Sequence, residues 1–212
     1  MGFVIAVDGP AASGKGTIAG RLAASYGLPY LDTGLLYRAV GVALLRANAD
    51  LDDPAAAEAA ARALRLEDLD DPALRGAVAG EAASRGAAHP GVRAALLELQ
   101  RAFAAREGGA VLDGRDIGTV IAPDAPVKLY VTAGPEVRAE RRWKQLLSQG
   151  EAVAYETVLE DIRRRDARDA GRDAAPMEPA PDAVLLDTTD LSIEAATDAA
   201  RRIVEAARAF RG

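Results

Sequence analysis

Nine residues near the start of the chain combine three glycines with two hydroxyl groups and a lysine. The stretch GPAASGKGT, residues 9–17, follows the apolar run FVIAVD. A glycine-rich turn between a buried strand and a helix aims several backbone N–H groups and the positive end of the helix at one point, which suits a phosphate. Gly9 and Gly14 have the G-x-x-x-x-G-K spacing of a phosphate-binding loop, and Lys15 is placed to reach the outer phosphates of a nucleotide. The alternative is an ordinary strand-to-helix turn with an exposed lysine.

A second stretch, YLDTGLLYR at residues 30–38, follows another short apolar run. The carboxyl ends of parallel strands face one crevice, so we expect Thr33, Tyr37 and Arg38 to point toward the phosphate-binding loop. A helix that starts near Gly34 would place Thr33 and Tyr37 along one face with Arg38 beside them. The alternative is a simple helix cap at Asp32 or Thr33 before an amphipathic helix.

A third stretch, VLDGRDIGT at residues 111–119, places an acid where an apolar strand ends. Asp113 is the candidate to orient Mg²⁺ through bound water, the metal bridging the β- and γ-phosphates as phosphoryl transfer commonly requires. Arg115 and Asp116 lie on the following turn and are expected to face the same crevice. An Asp-Gly turn without function is the alternative, although an arginine between two acids is less easily explained by turn chemistry.

Arginines are dense on two later segments. In IRRRDARDAGR, residues 162–172, Arg165, Asp169 and Arg172 fall on one face of a helix. The segment VRAERRWKQL carries Arg138, Arg141 and Arg142. The alternative in both cases is a solvated helix stabilised by ion pairs between neighbouring turns.

The elements that must position these residues alternate along the chain between short apolar runs and alanine-rich helical stretches, which predicts a parallel sheet covered by helices, an α/β fold. The predicted strands are 3–8, 28–32, 110–113, 127–132 and 183–187. The predicted helices are 15–26, 35–47, 92–106, 135–149, 155–170 and 192–210. Residues 49–91 fit the alternation poorly and are interpreted as an insertion. Residues 148–182, rich in Arg and Asp, are interpreted as a solvated excursion without a buried face, of the kind that forms lids.

Composition excludes several classes of chemistry. The 212 residues contain no cysteine and one histidine, His89, which excludes disulfides and thiolate metal sites and leaves little scope for a zinc site or a serine–histidine triad. The net charge of −6 argues against a nucleic-acid duplex as the main partner. No apolar run approaches the length of a membrane span, and the start lacks a secretory signal pattern. We therefore expect a cytoplasmic protein with small-molecule substrates and neither nucleic acid nor membrane as a partner. We also expect it to be a monomer, although no pattern in the sequence decides the oligomeric state.

Together the motifs resemble those of the bacterial cytidylate kinases, and the resemblance covers nearly the whole chain. The motifs occur in the order DGPAASGKGT, LDTGLLYR, AAHPGVR, DGRDIGTVIAPDAPVKLYVTA and RRRDARDAGR followed by PAPDAVLLDT. The resemblance implies a P-loop NTPase-type sheet of five parallel strands flanked by helices, a monophosphate-binding insert and a short lid. It also implies transfer of the γ-phosphoryl group of ATP to CMP or dCMP, with Mg²⁺.

The resemblance implies a role for each candidate residue. Lys15, Arg115, Arg141 and Arg172 would be catalytic. ATP would be bound by Gly9, Pro10, Ala11, Ala12, Ser13, Gly14, Lys15, Gly16 and Thr17, with Arg141 and Arg142 closing on its phosphates. CMP would be bound by Thr33, Tyr37, Arg38, Ser84, Arg93, Arg115, Asp116, Arg165, Asp169 and Arg172. In kinases with the GKGT ending the metal is held mostly by phosphates and water, so Asp113 would act through water and Thr17 is a further candidate ligand.

The implied division of the chain is a core at 1–48, 106–147 and 176–212, an insert at 49–105 and a lid at 148–175. Residues 63–91 are shorter than in many relatives by roughly a β-hairpin, so the sheet of the insert is expected to be truncated. Two alternatives remain at this point. One is a kinase for another small acceptor such as UMP, AMP or shikimate, and the other is an ATP-binding module without catalysis.

Overall fold

A computed structural model of the chain describes residues 2–172 and 175–209. Five strands form one parallel sheet in the order β2-β3-β1-β4-β5. Their bounds are β1 Phe3–Asp8, β2 Tyr30–Asp32, β3 Gly109–Gly114, β4 Val127–Thr132 and β5 Val184–Asp187. All five predicted strands are therefore present, within two residues of their predicted bounds. The central strand β1 is flanked by β3 and β4, so that Asp8 lies opposite both Gly114 and Tyr130.

The strands are apolar because helices cover them. Ile5 and Val7 of β1 and Leu129 and Val131 of β4 are buried in one cluster with Leu22 of the first helix and Val204 of the last. Burying a side chain of this size contributes about 1.5–3 kcal/mol relative to exposing it. This packing fixes the positions of the strand ends that carry the candidate residues.

Eight α-helices are found in the described residues, six of them near their predicted positions. Their bounds are α1 Lys15–Tyr26, α2 Thr33–Arg46, α3 Pro54–Ala63, α4 Ala77–Gly86, α5 Pro90–Ala104, α6 Pro135–Ser148, α7 Tyr155–Ala170 and α8 Ile193–Ala209. Helices α3 and α4 lie in the segment interpreted only as an insertion. The start of α3 is nonetheless encoded locally, because the Asp53 side chain accepts hydrogen bonds from the N–H groups of Ala55 and Ala56 and Pro54 takes the first helical position.

The expectation that residues 148–182 lack a buried face is wrong. In α7 the side chains of Val158 and Ile162 are buried in a small cluster with Ala139 and Leu146 of α6. Trp143 extends this packing and donates a hydrogen bond from Nε1 to the carbonyl oxygen of Val153 at 2.9 Å. Val158 and Ile162 are four residues apart and therefore lie on one face of the helix. This apolar face is hard to recognise in a sequence segment that is rich in Arg and Asp.

The chain divides into two compact units. One comprises Met1–Leu31 and Phe103–Gly212 and contains the sheet; the other comprises Asp32–Ala102. The second unit begins earlier than the predicted insert because α2 packs against α3 and α4.

In residues 33–102, whose backbone is described throughout, the elements are helices and two 3₁₀ turns, Leu66–Asp70 and Pro72–Arg75, and no strand is present. Both turns lie within residues 63–91, the stretch that was expected to lack a β-hairpin present in many relatives. Among all the described helices, none combines the length and the apolar character needed to cross a membrane.

Candidate active site

The loop before α1 has the backbone geometry of a phosphate-binding turn. Gly9 has φ 144° and Gly14 has φ 90°, values that favour glycine, and a Cβ on Gly9 would overlap the carbonyl group of Val131. Ala12 adopts a left-handed conformation between them, with φ 58°. Helix α1 begins immediately afterwards at Lys15, whose Nζ donates to the carbonyl oxygen of Pro10 at 3.4 Å. The loop thus brings backbone N–H groups, a helix N-terminus and a lysine to one place.

The carboxylate of Asp113, buried at the end of β3, lies beside this loop. A Cβ on Gly16 would stand 3.1 Å from Oδ2 of Asp113 and 3.5 Å from the hydroxyl oxygen of Tyr30. A side chain at position 16 would crowd this carboxylate, so the glycine after Lys15 leaves room for the acid. Thr17 is exposed in the first turn of α1.

The donors present fit a magnesium ion that is held largely by a nucleotide. No cluster of three or more His, Asp or Glu side chains suited to a metal occurs among the described residues. One carboxylate beside a phosphate-binding loop is the set with which Mg²⁺ is commonly bound, since it keeps several waters and takes its other ligands from substrate phosphates.

Asp8, which the sequence analysis did not select, connects this loop with the turn after β3. Its carboxylate accepts hydrogen bonds from the backbone N–H of Ile117 at 2.8 Å and of Gly118 at 2.7 Å. Burial raises the pKa of Asp8 from 3.8 to about 6; these two bonds lower it and nearby Asp116 raises it further. One buried side chain, adjacent to Gly9, thereby holds the turn that carries Asp116.

A cluster of opposite charges lies where the β3 turn meets α7. Nε of Arg115 donates to Oδ2 of Asp169 at 2.9 Å, and Nη2 of Arg172 lies 3.6 Å from Oδ1 of the same carboxylate. Burial by itself would raise the pKa of Asp169, but the positive charges of Arg115, Arg165 and Arg172 outweigh it and hold this pKa below its usual value. The predicted group Arg115, Arg165, Asp169 and Arg172 is thus brought together, with the carboxylate ionised at neutral pH.

The three arginines of α6 have different surroundings. Nη1 of Arg141 lies 3.4 Å from the carbonyl oxygen of Ser13, so this side chain reaches the phosphate-binding loop. Arg142 donates instead to the side chain of Gln145 on its own helix. Arg138 is buried and bonds to the carbonyl oxygen of Ala11 at 3.2 Å and to both carboxylate oxygens of Asp166. Arg138 therefore holds the loop against α7.

The remaining candidates belong to the second compact unit. Nη1 of Arg38 donates to the carbonyl oxygens of Leu74 at 2.8 Å and Gly76 at 3.2 Å, where the second 3₁₀ turn ends. Thr33 and Ser84 are buried. The guanidinium of Arg93 lies 5.8 Å from the centre of the Tyr37 ring, a cation–π arrangement. Within this unit the structure therefore places Tyr37 and Arg93 side by side.

Two residues with a clear place in the first unit were missed by the sequence analysis, Asp8 and Thr188. Both follow or end a strand at the same edge of the sheet as Asp113. The rule that selects polar residues at the carboxyl ends of parallel strands would have found them if it had been applied to β1 and β5 as it was to β2 and β3.

Comparison with known proteins agrees with this geometry. The family model for cytidylate kinase matches residues 5–207. A cytidylate kinase from Caulobacter vibrioides strain NA1000 is 75% identical over 209 residues, which cover 99% of this chain and 98% of the relative. One from Xanthobacter autotrophicus is 66% identical over 99% of this chain and all of the relative, and one from Sinorhizobium medicae is 55% identical over 98% of each.

A solved structure gives the same fold at lower identity. The crystal structure of an uncharacterized protein from Eubacterium ventriosum superposes with a TM-score of 0.55 and 17% identity, covering 97% of this chain and 99% of that one. At this identity the match supports the architecture alone. The family match along nearly the full length, with a phosphate-binding loop and a buried acid in the expected places, shows that the chain belongs to the cytidylate kinase family.

Proposed function

We propose that the chain transfers the γ-phosphoryl group of ATP to CMP or dCMP, giving ADP and CDP or dCDP. Membership of the family supports this reaction class. The observation that carries it is that Lys15 at the start of α1, Asp113 at the end of β3 and the Arg115–Asp169–Arg172 cluster lie in one compact unit. A nucleotide-binding switch would need the first two of these features and not the third.

The chemistry is a direct in-line transfer. An oxygen of the CMP phosphate forms a new bond to the γ-phosphorus while the bond to the oxygen that bridges the β- and γ-phosphates breaks, and ADP leaves. The acceptor phosphate is already ionised near neutral pH, so no general base is required and no covalent enzyme intermediate forms. The rate enhancement comes from positioning and from neutralising charge.

On the donor side, Lys15 and the backbone N–H groups of the loop at residues 9–17, in which Pro10 has none, hold the phosphates of ATP. Arg141 stabilises the charge of the transferring group from α6, and Arg142 joins it if its bond to Gln145 is released. Rigid forked cations suit this task because two anionic substrates must approach each other.

On the acceptor side, we assign the CMP phosphate to Arg38 and Arg115, the cytosine to Ser84, Arg93 and Asp116, and the ribose hydroxyls to Asp169 with Arg165. Arg172 acts close to the point of transfer, and Thr33 and Tyr37 line the acceptor site. The ionised state of Asp169 supports its part, since a carboxylate accepts hydrogen bonds from two hydroxyls.

When Mg²⁺ is bound with ATP it neutralises and orients the β- and γ-phosphates. Asp113 would hold it through water, and Thr17 is a further candidate ligand. The buried carboxylate beside Gly16 supports the role of Asp113.

We further propose that residues 49–105 act as the monophosphate-binding insert and that residues 148–175 act as a lid. Because α7 packs on α6, lid motion would involve residues 149–154 before α7 rather than unfolding of the helix; residues 173 and 174 of the proposed lid lie outside the described residues. The enzyme is expected to work as a monomer in the cytoplasm, where its nucleotide substrates are present.

A panel of acceptors in an assay coupled to ADP release tests the function. With Mg²⁺ and ATP present, CMP and dCMP should support turnover far better than UMP, AMP or shikimate. Equal or higher turnover with another acceptor would reassign the substrate. ATP hydrolysis that ignores every acceptor would contradict the proposal and favour a binding module.

A further inference from the structure

Thr188 lies one residue beyond β5 and is almost completely buried, with 2% of its surface exposed. Its hydroxyl lies 2.9 Å from the carbonyl oxygen of Ser13 and 3.0 Å from that of Thr132. The backbone N–H of Thr188 already donates to Thr132 at 2.8 Å. A hydroxyl has one hydrogen to donate, and the carbonyl of Thr132 already accepts from the backbone. We therefore assign the hydrogen bond from the Thr188 hydroxyl to the carbonyl of Ser13, in the phosphate-binding loop.

The same hydroxyl accepts a hydrogen bond from Arg141. Nη1 of Arg141 lies 3.0 Å from Oγ1 of Thr188, and Nη2 donates to the backbone carbonyl of Thr188 at 2.6 Å. The guanidinium therefore binds Thr188 through two of its nitrogens, and its Nη1 also reaches Ser13. Asp187 next to it has its pKa held below the usual range, by hydrogen bonds from Thr189 and by the charge of Arg141.

We propose that Thr188 is a positioning residue of the donor site, which fixes the guanidinium of Arg141 and the carbonyl of Ser13 in one arrangement before ATP binds. This inference rests on the proposed function in one respect, the role of Arg141 on the donor phosphates. It assigns to the end of β5 a part in donor binding; Thr188 is the last residue of PAPDAVLLDT, a motif in which the sequence analysis gave no residue a role.

The chemistry of the arrangement explains why a hydroxyl is required at position 188. Only a group that both donates and accepts can satisfy the Ser13 carbonyl and the Arg141 N–H together. Valine has nearly the same shape as threonine but cannot hydrogen-bond to the Ser13 carbonyl or to the Arg141 N–H. Any loss of ATP affinity in a valine variant would therefore come from these two groups, which lose a buried hydrogen-bond partner, and not from lost packing. Serine keeps the hydroxyl and loses one methyl group.

Binding measurements separate this role from a general structural one. Thr188→Val should weaken ATP binding by about tenfold, measured by titration calorimetry without acceptor, while CMP binding without donor is unchanged. Thr188→Ser should bind ATP as the original protein does. The matched control is Thr197→Val, which removes another buried threonine hydroxyl, one that donates to the carbonyl of Ile193 within α8 at 2.7 Å; its ATP affinity should be unchanged.

A double-mutant cycle shows whether Thr188 acts through Arg141. Arg141→Ala alone should weaken ATP binding, and adding Thr188→Val should then weaken it by clearly less than Thr188→Val does alone, because only the hydrogen bond to Ser13 remains to be lost. Full additivity of the two changes would overturn the inference, as would unchanged ATP affinity in Thr188→Val or an equal loss of ATP and CMP binding. If the valine variant does not fold, Thr188→Ala makes the same comparison without branching at Cβ.

These outcomes are independent of the identity of the acceptor. If the original protein binds ATP but does not phosphorylate CMP, the proposed function fails, and the ATP titrations still decide the role of Thr188. If CMP is phosphorylated and Thr188→Val binds ATP normally, the inference fails alone.

Discussion

Arg115 donates a hydrogen bond from Nε to Oδ2 of Asp169 across 2.9 Å, although 54 residues separate them in the chain. The side chains are 16% and 7% exposed, so the pair is largely removed from water. The bond joins the turn after β3 to the end of α7, and the same carboxylate lies near Arg172. A buried carboxylate shared by two arginines holds their guanidinium groups in place for anionic substrates.

Replacing this carboxylate should affect both stability and activity. Asp169→Asn leaves Arg115 and Arg172 without their counter-charge, and breaking a buried pair from one side costs about 3 kcal/mol of the free energy of unfolding. We expect kcat/KM for CMP to fall by about tenfold or more. Urea unfolding and initial rates measure the two effects.

The matched control is Asp161→Asn, which removes the carboxylate of an exposed ion pair with Arg164 one turn away on the same helix. Exposed pairs of this kind contribute little, so stability and rate should hardly change. Equal changes of stability and rate in the two variants would show that the buried pair contributes no more than the exposed one.

Lys15→Ala tests the donor loop. Removing the amine should lower kcat by about a hundredfold or more, as loss of a single charge-stabilising group commonly does, while the melting temperature stays close to that of the original protein. Lys144→Ala is the control, because this lysine is exposed and pairs only with Glu140 on the same helix among the ion pairs that the structure describes. Near-normal turnover of the Lys15 variant would exclude the donor-site assignment.

The raised pKa of Asp8 predicts a pH dependence of stability. Between its unfolded value of 3.8 and its folded value of about 6, the folded state binds a proton that the unfolded state has released. Stability from this group is therefore full below about pH 4, falls as the pH rises to about 6, and is level above that, a change of about 3 kcal/mol.

Asp8→Asn has no such titration. Urea unfolding from pH 4.5 to 7.5 should show the original protein losing stability relative to the variant as the pH rises to about 6. The carboxylate of Asp169 has a lowered pKa, so its contribution is lost only in more acidic solution and does not overlap this range. Parallel pH curves for the two proteins would contradict the raised pKa.

Asp116 is proposed to read the base. A carboxylate accepts a hydrogen bond from the 4-amino group of cytosine, whereas UMP presents a carbonyl oxygen at that position and leaves two acceptors facing each other. This contact predicts discrimination of about ten- to a hundredfold. Asp116→Ala should lower kcat/KM for CMP much more than for UMP, with ATP binding without acceptor little changed. An equal loss with both nucleotides would assign Asp116 to the phosphate machinery instead.

The phosphate-binding loop and most of the elements could be predicted from the sequence, because their causes are local. The glycine at position 9 is needed for a backbone conformation that other residues rarely adopt, and the one at position 14 for the left-handed turn before α1. The strands at the centre of the sheet appear as apolar runs because both of their faces are covered. The start of α3 is also determined by local residues, Asp53 and Pro54, but it was not predicted because the residues around it are only weakly amphipathic.

Only the tertiary structure decided which charged side chains meet. Sequence spacing placed Arg165, Asp169 and Arg172 on one helix face, but it could not select Arg115 as the partner of Asp169 or distinguish buried Arg138 from its neighbours on α6. The bonds of Asp8 to residues 117 and 118, and of Thr188 to Ser13, likewise join segments more than a hundred residues apart. Hydrogen bonds and ion pairs act over a few ångströms, so their partners are set by the order of the strands in the sheet, and that order depends on how the whole chain packs.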